Sequence, residues 1–120
     1  MALVLLILCA IFDFLGIWLR LYWQFFWFDT IPHFLGGATV GAAVSSFWLL
    51  KDRTKKSTIL MAIVGALFVG IIWELFELYF GITSLSDGIR YVTDTTSDVI
   101  MDISGAIFSG LIAFRILEPV

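Results

Sequence analysis

A chain of 120 residues that is 61% hydrophobic and only 14% charged departs from a soluble domain, which runs at about 45–50% apolar and about 25% charged. A net charge of −3 and a pI near 4.8 leave no basic patch for nucleic acid. The one cysteine, Cys9, excludes a disulfide framework and a CxxC site. With a mean hydropathy of +1.04, the expectation is an all-α integral membrane protein whose partner is the lipid bilayer.

Four apolar segments follow in chain order, each near the roughly 20 residues that cross a bilayer. They run roughly over residues 2–22, 31–50, 58–80 and 95–117, which predicts a bundle of four transmembrane helices forming a single transmembrane domain over residues 1–120. The first segment lacks Lys or Arg before its apolar run and ends in no small-residue cleavage site, so it reads as a retained helix. It contains Asp13, an acid that translocon scales charge about 2.5–3.5 kcal/mol at mid-membrane. Asp13 needs a partner, either Arg20 two turns on or an interior water, while Cys9 reads as a small packing residue. Pro32 fits the first turn of the second helix, with Asp29 or Thr30 as its N-cap. Asp87 and Gly88 read as turn chemistry, and Asp94 fits the N-cap of the last helix, with Thr95 and Thr96 opening it.

Orientation comes from the basic residues. Lys51-Asp52-Arg53-Thr54-Lys55-Lys56, between the second and third segments, holds four of the seven Lys and Arg. Arg115 falls on the same side in a four-helix count, and Arg20 and Arg90 fall opposite. The positive-inside rule places this loop and both termini in the cytoplasm. Trp18, Tyr22, Trp23, Trp27, Trp73, Tyr79 and Tyr91 gather near the outer ends, as an interfacial aromatic belt does.

The acids are distributed less blandly. Asp29, Glu74, Glu77, Asp87, Asp94, Asp98 and Asp102, seven of the ten Asp and Glu, fall in the half opposite the Lys-rich loop. At about 1.5 Å per residue, His33, Glu74, Glu77, Asp98 and Asp102 lie within about 10 Å of that boundary. Asp29 and His33 share a face at a spacing of four. Asp94, Asp98 and Asp102 follow at successive i, i+4 steps, and Gly105 and Ser109 continue their wedge. Ala62, Ala66 and Gly70 lead into Glu74, and the second helix carries Gly37-x3-Gly41. Small-xxx-small stripes let membrane helices approach closely. Each stripe ends at an acid, so these acids should face the bundle interior.

Ionised acids a few ångströms apart repel, and burial makes this worse. Arg20 and Arg90 could neutralise two charges at most. A divalent metal ion answers the rest most directly, because carboxylate oxygens are hard ligands suited to Mg²⁺, Ca²⁺ or Mn²⁺, while the one imidazole leans towards Mn²⁺, Fe²⁺ or Zn²⁺. The expected ligands are His33, Glu74, Glu77, Asp98 and Asp102, with Asp29 and Asp94 at the rim. The other reading of the same residues is a water-filled vestibule of hydrated, partly protonated acids.

The run Asp29-x3-His33, Trp73-Glu74-x2-Glu77 and Asp94-x3-Asp98-x3-Asp102-x2-Gly105 resembles the YjdF-like group of uncharacterised bacterial membrane proteins. It is more distantly similar to VanZ-like proteins, with Asp102 standing where that family has Asn. The resemblance covers roughly residues 29–110 and implies a bacterial or archaeal cytoplasmic (inner) membrane, without an established reaction.

Two function classes remain open. One is a metal-dependent enzyme at the outer leaflet, acting on a lipid-linked or envelope substrate, with the metal polarising the electrophile and Glu77 as general base. No Ser-His-Asp arrangement and no Arg/Lys phosphate clamp is present, which counts against phosphoryl chemistry. The other is a non-enzymatic cation-binding carrier, channel or envelope-stress protein. No inverted repeat supports a transporter of the repeat type. A homo-oligomer is compatible with either class.

Overall fold

The computed structural model describes residues 1–51 and 54–117, so Asp52 and Arg53 of the basic loop lie outside the described residues. Its helices are α1 (Ala2–Trp18), α2 (Leu21–Gln24), α3 (Thr30–Leu49), α4 (Lys55–Phe80) and α5 (Ile89–Leu117), with a 3-10 turn at Leu85–Asp87. No strand occurs among the described residues.

Three boundaries differ from expectation, each for a local reason. The first apolar segment does not run to residue 22 as one helix. It breaks after Trp18, where Arg20 takes a left-handed backbone at φ 55°, and resumes as the four-residue α2. α4 starts three residues early because the Thr54 side chain caps it, accepting from the Ser57 amide at 3.2 Å. α5 starts six residues early, directly after Gly88 at φ 59°. Its polar opening is stable as helix because hydroxyls are satisfied within it: Thr93 donates to the Ile89 carbonyl at 2.8 Å and Thr96 to that of Val92 at 2.6 Å. Asp94 is therefore inside α5 and is not its N-cap.

The core is built from small residues. Ala38, Ala42, Ala62, Ala66, Ala106 and Ala113 are buried, while Phe68, Ile71, Phe76 and many other large apolar side chains point outward. A soluble monomer does not expose apolar surface on that scale. α3 is central and packs on α1, α4 and α5, and α4 and α5 also pack on each other. The expected stripes are the packed faces: Gly37 and Gly41 of α3, Ala62, Ala66 and Gly70 of α4, and Gly105 and Ser109 of α5 are all buried. At Gly105 an added Cβ would overlap the Phe34 carbonyl oxygen, and at Gly37 that of Asp102. The two backbones therefore touch directly, which only glycine allows.

By length and composition, α4 and α5 are each apolar enough to cross a membrane, whereas α1 is apolar but only 17 residues long. α3 is 20 residues long, diluted by Gly, Ala, Ser and Thr. The Lys-rich end gathers the α4 start and the α5 end, since the Lys55 ammonium stands 5.9 Å over the Phe114 ring.

Candidate metal centre

His33, Glu74, Glu77, Asp98 and Asp102 are all buried, at the bundle end opposite the lysines. Asp29 and Asp94 are half-buried. Interlocking α3 and α5 backbones fix the register here: with Gly37 against Asp102, His33 comes one turn further along, at the level of Asp98.

His33 is the hub. Its Nδ1 lies 3.4 Å from Asp102 Oδ2, and its Nε2 lies 3.8 Å from both Asp29 Oδ2 and Asp98 Oδ2. An ionised Asp102 can only accept, so the shared proton belongs on Nδ1. That leaves the Nε2 lone pair facing two carboxylates, and Nε2 is buried without a hydrogen-bond partner. A lone pair among anionic oxygens calls for a cation or a second proton. The ligand atoms of Asp29, His33 and Asp98 all lie within 4.8 Å of one another. Ligands held about 2.1–2.5 Å from one ion stand roughly 3–4 Å apart, so little adjustment would close the triad on a cation. Asp102 stands where carboxylates commonly stand behind a ligating imidazole, at the ring nitrogen turned away from the triad.

Asp29, expected at the rim, lies with His33 and Asp98 in the group of atoms within 4.8 Å of one another, while Asp102, expected as a ligand, lies nearest the other ring nitrogen. Asp29 does occupy the N-cap position of α3, but its side chain makes no capping hydrogen bond. Burial pushes its carboxyl above the usual carboxylate range; His33 pulls it back, and Asp94, Asp13 and Glu74 raise it further.

The two glutamates are held by side chains that sequence reasoning passed over. Thr95 donates to Glu74 Oε2 at 2.7 Å, and the Trp73 indole donates to Glu77 Oε1 at 3.0 Å. Spacing held a signal for both, because Thr95 stands three residues before Asp98 and Trp73 four before Glu77, each on the same helix face. Glu74 Oε1 and Asp98 Oδ1 are buried without a hydrogen-bond partner. Among the described residues Asp13 does not pair with Arg20; the Tyr22 hydroxyl donates to its Oδ1. Arg20 and Arg90 are exposed, and among the described residues neither forms an ion pair with the acids. The Cys9 thiol lies 3.6 Å from the Pro32 carbonyl and packs between α1 and α3.

Fold and cluster together define an all-helical membrane protein with a buried group of acids around one histidine. The chain belongs to the DUF2238 family of predicted membrane proteins, whose description it matches over residues 1–119. The YjdF-like resemblance is consistent with that family; the VanZ-like similarity is not shown by it. No curated protein and no solved structure matches the chain.

Proposed function

We propose that this protein is a four-helix membrane protein with a divalent-metal centre at its extracytoplasmic end. The observation that carries the reading is the convergence of Asp29, His33 and Asp98 ligand atoms within 4.8 Å, on a histidine whose other nitrogen is already engaged. The ligands are Asp29, His33 Nε2 and Asp98, Asp102 orients the imidazole, and Glu74 and Glu77 complete the acidic wall. Carboxylates with one imidazole suit Mn²⁺, Fe²⁺ or Zn²⁺. In a bacterial or archaeal inner membrane, the basic loop and both termini face the cytoplasm. The centre then faces the outer leaflet, where a bound metal would polarise the carbonyl of an ester in a lipid-linked substrate; Glu77 would take the proton of the attacking water, and the ester C–O bond would break to release the alcohol.

The test is metal content and thermal midpoint of the detergent-purified protein with and without Mn²⁺ or Zn²⁺, beside His33→Ala. Wild type should retain metal and be stabilised by it; the variant should do neither. Wild type indifferent to every divalent ion would sink the metal reading and favour the hydrated vestibule, with a proton on Nε2. Topology is tested separately. A cysteine at Lys55 should react with an impermeant thiol reagent only in opened cells, and one at Asp87 in intact cells. The reverse pattern would invert the orientation.

A further inference from the structure

The Lys-rich end of the bundle takes no part in the acidic cluster. By sequence, the stretch 51–56 and the residues after Phe114 carry Lys51, Arg53, Lys55, Lys56 and Arg115 against only Asp52 and Glu118. Lys51, Lys55, Lys56 and Arg115 are exposed, and among the described residues none of them pairs with a carboxylate. The positive-inside rule asks for positive charge at one end, but not that the charges be held in place. Two of these are. The Lys51 ammonium stands 4.8 Å over the Phe47 ring and 5.9 Å over the Trp48 ring, and the Lys55 ammonium 5.9 Å over the Phe114 ring, where the negative ring face attracts it. The Trp48 indole donates to the Ser57 hydroxyl at 2.7 Å and so closes the end of α3 onto the start of α4. Lys51 follows Trp48 by three residues and Lys55 precedes Ser57 by two, so both flank that closure. Each stem lies along apolar surface with its charge at the edge, the level at which the phosphates of a leaflet stand.

A cleft opens at the same end. It has a volume of about 160 Å³ and is lined by Met1, Ser46 of α3, and Ala113 and Ile116 of α5. The Ser46 hydroxyl donates to the Ala42 carbonyl at 2.7 Å, which leaves the cleft without a free side-chain donor. Ala113, Phe114, Arg115 and Ile116 are consecutive in the last turns of α5. The stretch that walls the cleft thus also carries Arg115 and the ring beneath Lys55. An apolar cleft beside unpaired cations fits a molecule with an anionic head and an apolar tail. A soluble anion would leave the cleft unused, and a zwitterionic lipid would leave the excess charge uncompensated.

We propose that this end binds one anionic phospholipid of the leaflet it meets, with the phosphate held by Lys51, Lys55 and Arg115 and an acyl chain seated in the cleft. The site lies at the opposite end of the bundle from His33 and does not rest on the metal reading or on the orientation. Each basic residue beside an anionic headgroup region contributes about fivefold in affinity.

The experiment is native mass spectrometry of the detergent-purified full chain, titrated with phosphatidylglycerol or with phosphatidylcholine of the same acyl chains. Wild type should hold one phosphatidylglycerol, preferred over phosphatidylcholine by roughly 25-fold or more, and Lys51→Gln with Lys55→Gln should remove most of that preference. Ile116→Trp, which fills the cleft, should weaken both lipids alike. Glycerol phosphate, a head without chains, should not displace the bound lipid. Equal binding of the two lipids overturns the proposal, and so does a preference that survives loss of both lysines. Unchanged binding in Ile116→Trp overturns the seat of the chain. Displacement by glycerol phosphate overturns the lipid and leaves a site for soluble anions. Where a variant does not fold, the two lipids and glycerol phosphate on wild type decide the matter.

Discussion

α3 is gripped on two sides by different means. Towards α5 the backbones meet directly at Gly37 and Gly105, and Gly41 lies against Ala106 and the Ser109 hydroxyl. Towards α1 the Cys9 thiol reaches the Pro32 carbonyl at 3.6 Å, and the segment leading into α3 is held by rings: Tyr22 of α2 meets Phe28 edge-on at a centroid distance of 5.0 Å, both rings lie over Gly16, and the Tyr22 hydroxyl holds Asp13. The first seam fixes His33 against Asp98 and Asp102. The second reaches the cluster through Phe28, the neighbour of Asp29. A backbone seam cannot yield, whereas a ring seam can repack, so the two should fail differently.

The sharpest break is at Gly37, where even one methyl would overlap the Asp102 backbone. Overpacking costs typically about 1–3 kcal/mol, and here no side chain can move aside. Gly37→Ala should therefore abolish a cooperative melt in detergent, and Gly105→Leu should do so more severely. A normal melt for both would mean that α3 and α5 are not in contact.

Next comes Asp98→Asn, which leaves the seam intact and changes only charge. Saturating metal at 100 times its dissociation constant stabilises by about 2.7 kcal/mol, and this variant should lose that increment. In chelator its thermal midpoint should exceed that of wild type, because a repelling charge has gone. A lower midpoint in chelator would show that Asp98 does not suffer repulsion.

Tyr22→Phe removes one hydrogen bond to a carboxylate and no ring packing, a change worth about 1.5–3 kcal/mol at most. It should loosen α1, read as faster proteolysis within residues 19–29, while His33 and Asp98 still bind metal. Loss of all metal binding would tie the cluster to α1 far more tightly than the packing implies. The smallest effect is expected at Gly36, beside Gly37 but with nothing within 4 Å of an added Cβ. Gly36→Ala should be neutral or slightly stabilising, since alanine is favoured over glycine in a helix. Equal damage at positions 36 and 37 would undo the assigned helix face.

Much of the α3–α5 seam was legible, because small residues at four-residue spacing leading to acids mark one face whatever the tertiary detail. Burial of Gly37, Gly41, Gly70, Gly105, Glu74 and Asp98 follows from that face alone. Which acid meets which ring nitrogen was not legible. That depends on the axial offset of two helices, set by glycine contacts and worth about 1.5 Å per residue, and it puts Asp102 at Nδ1 and Asp29 and Asp98 at Nε2. The break at Arg20 was hidden too, since no Gly or Pro announces it; only the packing of Tyr22 and Phe28 over Gly16 demands it. The early start of α5 was masked by Asp94, which reads as an N-cap until the Thr93 and Thr96 hydroxyls are seen bonded to carbonyls one turn back.

The composition of α3 also bears on how the protein is made. Its glycines, serines and histidine serve the interior, and among the described helices only α4 and α5 are long and apolar enough to cross a membrane. A translocon partitions each segment by its own affinity for lipid, and α3 offers little until its neighbours cover it. In the proposed topology, α3 and α4 form a hairpin around the basic loop, and the apolar α4 draws α3 into the bilayer as a pair. Biogenesis then becomes the step at which this chain is most vulnerable. Truncation after residue 50 should leave α3 poorly inserted, although the same segment lies at the centre of the finished fold.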